Sequence, residues 1–394
     1  MTNCEPAYRR PPTAAYIHIP FCISKCHYCE FNSYPGMESI FAQYTQALIT
    51  EIENVPRPSP AKPLETVYFG GGTPTLLPAD YLLDILSSAR ASFTLADDAE
   101  ITIEANPGTV DETKLTGLKH GGFNRISIGV QSVDDEFLAK IGRAHSREQA
   151  IEAYRAARRA GFDNIGIDLI FALPGQTLDH WRSTLDTAIS LGSEHVSLYE
   201  LTIEEGTRFA EMCAHGKLDL PDEDLQIDMY ETAISKLTQA GFEHYEVSNF
   251  ARLGYRSRHN QVYWRNEPYY GFGAGATSYV DGTRARRVPD PQAYITAVCS
   301  ESDAIESSEH LTGRALLAET IIQGLRMLDG IDVSAIDAAY CTDLALEFKT
   351  EIARLKQRGL LEEIDDHFRV THQGLLLLND VAGEFVVASS PQSC

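Results

Sequence analysis

Short apolar runs alternate with longer amphipathic stretches from Ala14 to about Tyr245. The apolar runs predict strands at Ala15–Ile19, Thr66–Phe69, Glu100–Ala105, Arg125–Val130, Asn164–Leu169 and His195–Tyr199. The amphipathic stretches predict helices at Ser39–Glu53, Tyr81–Ser92, Glu112–His120, Ser146–Ala160, Leu178–Leu191 and Asp222–Ala240. Six β-then-α units are typical of an α/β fold with helices covering a parallel sheet. Periodicity alone leaves both an open doubly wound sheet and a barrel open, and both place their chemistry at the carboxyl ends of the strands.

The end of the chain has a different pattern, which predicts a first domain at 1–300 and a smaller one at 301–394. Val280–Ser308 is polar without clear periodicity, as expected of a connecting segment. Two helices and then a hairpin are predicted at Thr312–Leu328, Asp343–Arg358, Leu360–Ile364 and His367–Val370. This order suggests a winged-helix-like α+β domain. Its wing is acidic, whereas a DNA-binding wing is basic, so we expect a cover over the barrel or a protein-docking surface.

Composition narrows the classes of function. The formal net charge of −23 argues against nucleic-acid binding, because phosphate contacts need Lys and Arg. Met1–Pro12 has no apolar core typical of a secretory signal, and no run of about 18 apolar residues occurs. Five of the eight cysteines are scattered, which argues against a disulfide framework: Cys4, Cys213, Cys299, Cys341 and Cys394. We therefore expect a cytoplasmic protein with at most peripheral membrane association.

The other three cysteines, Cys22, Cys26 and Cys29, stand in C-x3-C-x2-C spacing directly after the first predicted strand. Three thiolates on a short loop can hold three corners of an iron–sulfur cubane. The fourth iron then lacks a protein ligand, as an open catalytic site requires. A zinc knuckle, a disulfide or three unrelated cysteines are the alternatives. The zinc reading needs a fourth ligand, and His27 is badly placed between two of the cysteines.

The text around these cysteines resembles a known family. Tyr16-x-His18-x-Pro20-Phe21-Cys22 and Tyr28-Cys29-x-Phe31-Asn32-Ser33 are similar to the radical S-adenosylmethionine (SAM) superfamily. They resemble the branch that contains oxygen-independent coproporphyrinogen III dehydrogenase and the haem chaperones. The resemblance implies a partial (β/α)6 TIM-type barrel. It also implies a 4Fe–4S cluster whose open iron is chelated by the amino and carboxylate groups of SAM.

Polar residues and glycines follow the predicted strands. Gly70-Gly71-Gly72-Thr73 comes after the second strand, where glycines let a ligand approach the backbone and free N–H groups for anions; a plain tight turn is the alternative. Glu104 ends the third strand, and a carboxylate there needs a partner. The resemblance implies SAM contacts from Tyr16, Tyr28, Gly71, Gly72, Thr73, Glu104, Gln131, Arg143 and Asp168. The last three would line either a second SAM site or a porphyrin site.

Arg258-His259-Asn260-Gln261-Val262-Tyr263-Trp264 places a histidine among aromatic residues. Imidazole can bind haem iron, and aromatic rings can cover the macrocycle. On residue chemistry alone, however, a satisfied core histidine is the better interpretation. The resemblance to the H-N-x-x-Tyr-Trp text of the haem chaperones makes His259 the candidate haem ligand. Thr277 stands where the family usually has histidine, which weakens any porphyrin contact there.

The resemblance implies a haem chaperone that binds haem, a 4Fe–4S cluster and SAM and passes haem to acceptor proteins, respiratory proteins among them. It also implies a homodimer. The alternatives are coproporphyrinogen III dehydrogenase and a haem-degrading radical SAM methyltransferase. The dehydrogenase usually has a further cysteine where this chain has Phe31, and a longer segment than the fifteen residues before Tyr16. Both differences favour the chaperone, and we expect no dehydrogenase activity.

Overall fold

The computed structural model describes residues 7–58, 61–300, 302 and 304–386. Its first eleven strands are β1 (Ala14–Ile19), β2 (Phe21–Cys22), β3 (Tyr34–Pro35), β4 (Leu64–Gly71), β5 (Leu95–Ala105), β6 (Arg125–Gln131), β7 (Ile165–Phe171), β8 (His195–Glu200), β9 (Glu243–Glu246), β10 (Asn249–Ala251) and β11 (Tyr270–Phe272). Nine of these, counted over the described residues, form one sheet in the order β11-β1-β4-β5-β6-β7-β8-β10-β9.

The sheet settles the choice between barrel and doubly wound fold. The strands from β1 to β8 in this order are parallel and follow the sequence without the reversal that defines a doubly wound sheet. The sheet ends at β11 on one side and at the antiparallel β10 and β9 on the other, so it is a partial barrel. The predicted α/β barrel class is confirmed.

Helices follow the parallel strands as predicted. They are α1 (Phe41–Asn54), α2 (Ala79–Ser92), α3 (Glu112–His120), α4 (Asp135–Lys140), α5 (Arg147–Arg159), α6 (Leu178–Leu191), α7 (Arg208–Ala214), α8 (Glu223–Gln239) and α9 (Arg258–Trp264), with 3-10 turns at Ala7–Arg9, Glu38–Ile40, Pro74–Leu76 and Pro107–Thr109. Side-chain caps mark several helix starts, and Ser146 and Thr177 form capping boxes. One large apolar core fills the space between these helices and the sheet.

The predicted connecting segment is instead regular structure. It holds most of an antiparallel sheet of β12 (Thr277–Val280), β13 (Thr283–Arg287) and β14 (Ile305–His310), together with α10 (Pro291–Cys299). Helix α10 packs on α1, and Tyr294 donates a hydrogen bond to Glu51 there. The prediction was wrong because strands of four to six residues pair across the chain without leaving a long periodic run.

The C-terminal part has its own apolar core. Its elements are α11 (Gly313–Gly324), β15 (Ile331–Asp332), α12 (Val333–Tyr340), α13 (Leu344–Glu347), α14 (Lys349–Gln357), β16 (Leu361–Ile364), β17 (His367–Val370), α15 (His372–Leu376) and α16 (Leu378–Phe385). Helices followed by the β16–β17 hairpin agree with the winged-helix-like prediction. The boundary at residue 300 stays a prediction. No described helix is long and apolar enough to cross a membrane.

A junction joins this part to the barrel. Val247 N donates to Arg326 O at 3.1 Å, and Leu328 N donates to Tyr245 O at 3.0 Å. The Arg326 guanidinium lies 4.3 Å from the centre of the Trp264 ring and 3.4 Å from the buried Glu246 carboxylate. Backbone pairing and a cation–π contact therefore tie the end of β9 and helix α9 to the residues that follow α11.

The scattered cysteines differ among themselves. Cys213 and Cys299 are exposed free thiols. Cys341 is disulfide-bonded, so at least one of the scattered cysteines that argued against a disulfide framework takes part in a disulfide. Cys4 and Cys394 lie outside the described residues.

Candidate functional site

The carboxyl ends of the parallel strands surround a cavity of about 430 Å³, which we call the mouth of the barrel. The mouth collects nearly all of the predicted cluster and SAM residues, since its lining includes Cys22, Cys26, Tyr28, Cys29, Gly71, Gly72, Thr73, Glu104, Gln131, Arg143 and Asp168. Tyr16 lines an adjoining cavity of about 400 Å³ that shares Gly71 and Glu104 with the first. His259 lines neither of the two cavities.

The three motif cysteines are free thiols on the loop that follows β1 and β2. Each sulfur has a polar neighbour: Thr73 Oγ1 is 3.6 Å from Cys22, Arg143 Nη1 is 3.7 Å from Cys26 and Ser33 Oγ is 3.9 Å from Cys29. Burial raises the pKa of the Cys22 and Cys29 thiols. A bound cation would favour their thiolates, because metal binding deprotonates a thiol.

The donors around this loop fit an iron–sulfur cluster. Three thiols share one cavity with hydroxyl and guanidinium groups near the sulfurs. His27 is held elsewhere, since its Nδ1 lies 2.9 Å from Lys140 O and its Nε2 lies 2.8 Å from Arg208 Nη1. Among the described residues, no three His, Cys, Asp or Glu side chains are grouped to hold a single metal ion. A 4Fe–4S cluster is held by separate cysteine thiolates instead.

The glycine run has a packing reason that the sequence did not reveal. A Cβ at Gly70 would lie 2.8 Å from the Tyr68 ring and 3.1 Å from Glu104 Cδ. Gly71 has a φ of +115°, and a Cβ there would meet His18 at 2.4 Å. The N–H groups are not free, because Gly71 N donates to Glu104 Oε2 at 3.1 Å and Gly72 N donates to Ile19 O at 2.9 Å. The prediction of free N–H groups for a ligand is therefore wrong for these two residues.

Glu104 lies at the centre of the site. Its Oε1 accepts a hydrogen bond from Tyr68 Oη at 2.7 Å, and its Oε2 accepts from Gly71 N. Burial raises the pKa of Glu104 to about 7, although both hydrogen bonds favour the ionised form. Since Glu104 lines both cavities, it is placed to accept hydrogen bonds from a ligand with hydroxyl groups.

Gln131 and Arg143 present unpaired polar atoms at the mouth. Gln131 ends β6 with a φ of 63°, in the left-handed region that a non-glycine residue rarely adopts. Its Oε1 and the Arg143 Nε are buried without a hydrogen-bond partner. Arg143 Nη2 donates to Gly129 O at 2.7 Å, and Asp168 accepts from Ser127 Oγ at 3.0 Å. Buried unpaired donors and acceptors that line a cavity fit a polar ligand such as SAM.

Large apolar side chains form an exposed rim around the mouth. Phe31 has 62% of its surface exposed, and Ile23 and Tyr199 are also largely exposed. Arg286 and Thr277 line the adjoining cavity on the side of β12 and β13. The mouth therefore combines a polar interior with an apolar rim.

His259 is carried by α9, whose backbone lies at the opposite end of the barrel. Its Nδ1 is 2.8 Å from Thr66 Oγ1, and its Nε2 is 2.8 Å from Tyr263 Oη. Only 1% of its surface is exposed, and burial lowers its pKa to about 3. The prediction of His259 as an axial haem ligand does not fit this geometry, because neither ring nitrogen is open to an iron.

Two residues of the site, Tyr68 and His18, were not predicted from the sequence. Tyr68 bonds Glu104, and His18 bridges Tyr16 Oη at 3.0 Å and Asn32 O at 2.9 Å. Both are aromatic residues within apolar strands, where they resemble core positions. The alternation along β4 puts Tyr68 on the same face as Thr66, which is the one signal that could have found it.

Comparison with known proteins agrees with this geometry. Residues 16–188 match the model of the radical SAM superfamily, and residues 311–377 match the HemN C-terminal domain. The chain is 38% identical to the haem chaperone HemW of Bacillus subtilis, covering 95% of this chain and 99% of that protein. It is 34% identical to the haem chaperone HemW of Escherichia coli, covering 95% and 98%. The structure of E. coli coproporphyrinogen III oxidase, HemN, described as a radical SAM enzyme, superposes with a TM-score of 0.81 at 27% identity, covering 96% and 91%.

Proposed function

This chain belongs to the HemW family of haem chaperones within the radical SAM superfamily, and from this premise we propose that it binds haem and delivers it to acceptor proteins in the cytoplasm. Its radical SAM domain implies a 4Fe–4S cluster and SAM. The observation that carries the proposal is the mouth itself. Three free thiols, Glu104 and the unpaired atoms of Gln131 and Arg143 surround one cavity.

Within this proposal Cys22, Cys26 and Cys29 hold the cluster, whose open iron gives SAM a place to chelate. Glu104 accepts hydrogen bonds from the ribose hydroxyls of SAM. Gln131 Oε1 accepts from the ligand and Arg143 donates to it, which would satisfy the two buried atoms that lack partners. Gly71 donates to Glu104 from the neighbouring strand β4, and Tyr16 lines the adjoining cavity together with Glu104.

We propose that haem docks on the rim of the mouth. A porphyrin is a large apolar plane with two carboxylates at one edge. Phe31, Ile23 and Tyr199 offer exposed apolar surface. Arg286 has 51% of its side chain exposed and contacts Glu306 only at 3.8 Å, so it can pair with a propionate. The acceptor proteins, respiratory or otherwise, the homodimer and a peripheral membrane contact stay predictions.

A haem titration of the reconstituted protein tests the proposal. Phe31→Ser should weaken haem binding about five- to thirtyfold, the loss expected from removing a large apolar contact. Leu253→Ser is the matched control, because Leu253 is 85% exposed and lies beyond the end of β10, at the opposite end of the barrel. Equal haem affinity in wild type and both variants would contradict docking on the rim, and no haem binding by wild type would contradict the chaperone function.

The likeness to HemN supports a second candidate, coproporphyrinogen III dehydrogenase. The same preparation, supplied with SAM, a reductant and coproporphyrinogen III, separates the two. We expect stoichiometric haem binding and no protoporphyrinogen. Turnover of coproporphyrinogen without haem binding would assign the chain to the dehydrogenase instead. Haem that is bound and then destroyed only with SAM and reductant would point to a haem-degrading methyltransferase.

A further inference from the structure

Helix α9 closes the end of the barrel opposite the mouth, and we call this end the floor. His259 contacts Thr66, the third residue of β4, whereas Gly71 at the mouth is five residues further along the same strand. At the rise of an extended strand, Thr66 lies roughly 16 Å from Gly71. The backbone of α9 therefore lies at the far end of β4, while the His259 ring extends into the barrel toward Tyr68.

The His259 ring is held in one orientation. Thr66 and Tyr263 occupy its two nitrogens, and its backbone N donates to Glu100 Oε1 at 3.1 Å. Arg258 N donates to the other oxygen of the same carboxylate at 3.2 Å. Glu100 on β5 thus binds the first N–H groups of α9 and fixes the helix against the sheet.

The fixed ring supports the residue that holds Glu104. His259 stacks on Tyr68 with 4.9 Å between ring centroids and 24° between ring planes. Tyr16 packs beside both rings, 6.1 Å from Tyr68 and 6.3 Å from His259 between ring centroids. The hydroxyl of Tyr68 then reaches Glu104 at 2.7 Å. A continuous set of contacts leads from α9 through Tyr68 to the carboxylate in the mouth.

We propose that His259 is a positioning residue of the SAM pocket: it fixes the Tyr68 ring, and through it the Glu104 carboxylate, while haem binds elsewhere. The part that concerns haem rests on the proposed function, whereas the part that concerns SAM does not. Trp264 on the same helix contacts Arg326, so α9 also connects the SAM pocket to the C-terminal domain.

The pH dependence of SAM binding can detect this role. A carboxylate accepts hydrogen bonds from ribose hydroxyls better when it is ionised, so SAM affinity should fall as the pH drops through the pKa of Glu104, about 7. Burial and Asp168 raise this pKa, while Tyr68, Gly71 N–H and Arg125 lower it; Tyr16 also faces the carboxylate. Loss of the Tyr68 hydrogen bond should therefore raise the pKa and move the binding midpoint to higher pH.

The experiment compares Tyr68→Phe, His259→Ala, His259→Phe and Tyr263→Phe in anaerobically reconstituted protein. For each variant, the SAM dissociation constant is measured from pH 6 to 9, and haem is titrated in parallel. Tyr68→Phe and His259→Ala should weaken SAM binding about two- to tenfold at neutral pH and raise the midpoint. His259→Phe restores an aromatic face for Tyr68 and should return the midpoint toward the wild-type value. Haem affinity and the Soret spectrum should not change in the His259 variants.

Three results would overturn the inference. If both His259 variants lose haem while SAM binding is unchanged, His259 is a haem ligand. If they weaken SAM equally at every pH without moving the midpoint, its role is only structural. Tyr263→Phe frees the Nε2 of His259, so tighter haem binding with an altered Soret band in this conservative variant would also indicate a ligand. If wild type binds no haem, the proposed function fails, and the SAM midpoints still decide the positioning role.

Discussion

The mouth and the floor of the barrel both contain buried polar side chains, but these side chains serve different purposes. At the mouth, Gln131 and Arg143 have buried atoms without partners, and Phe31 stands exposed beside them. At the floor, the two nitrogens of His259 and the two oxygens of Glu100 are all hydrogen-bonded. The unpaired atoms of Gln131 and Arg143 line a cavity and are open to a ligand, whereas His259 and Glu100 line neither cavity and hold α9 against the sheet.

The largest contrast is expected for the cluster loop. Cys26→Ala should abolish the iron and the charge-transfer absorbance gained on anaerobic reconstitution, because a thiolate of the predicted three is lost. The free energy of unfolding measured in urea should change little, since this loop serves the function and adds little to the apolar core. Cys213→Ala is the control, as Cys213 is an exposed free thiol on α7. If Cys26→Ala kept its full iron content, the mouth would not be the cluster site.

At the floor we expect the opposite, a loss of stability caused by a single substitution. Glu100→Ala removes a carboxylate that favours the buried Arg125 cation, although Asp168 remains, and it unpairs two N–H groups of α9. Leaving a buried donor without its acceptor costs about 1 to 3 kcal/mol, so losing both hydrogen bonds should lower the free energy of unfolding by about 2 to 6 kcal/mol. The matched control is Glu65→Ala, whose exposed carboxylate lies 3.6 Å from Arg258 on the same helix and should cost less than about 1 kcal/mol. If urea titrations gave equal losses of unfolding free energy for Glu100→Ala and Glu65→Ala, Glu100 would have no special structural role at the floor.

The smallest effect is a pH dependence. The pKa of His259 is about 3 in the folded chain because of burial, below the unfolded value of about 6.5. The unfolded chain then binds the proton first, so this contribution to stability is present above pH 6.5 and is lost as the pH falls. His259→Phe should reduce the slope of unfolding free energy against pH by about 1 kcal/mol per unit between pH 6.5 and 5.5 and by about 1.4 kcal/mol per unit below that.

The control for this slope is His120→Phe, at an exposed position on α3. This variant should keep the wild-type slope. His18 and His145, whose pKa values burial lowers to about 4, should contribute equally to the slope of wild type and of both variants. A His259→Phe slope identical to wild type would mean that His259 is solvated in the native protein.

The sequence predicted the six β/α units and most of the mouth, because both leave local signals. Long apolar and amphipathic runs indicate their own elements, and the cysteine and glycine motifs are contiguous in the chain. Short elements such as β11 and α9 were missed, since three to seven residues show no period and their partners are distant in sequence. The prediction for His259 met a related limit, because the residue type suggests a ligand while only tertiary packing shows that Thr66 and Tyr263 contact both nitrogens.

The junction at Trp264 and Arg326 has a consequence for how the chain melts. Part of the packing around α9 is supplied by residues more than sixty positions later, through Arg326 over Trp264 and the backbone pairs that join Tyr245 and Val247 to Leu328 and Arg326. Interfaces with buried charge and shared backbone pairing couple the unfolding of the units they join. The barrel and the C-terminal domain should therefore lose their structure in a single cooperative transition, and a partner bound to one would protect the other against heat.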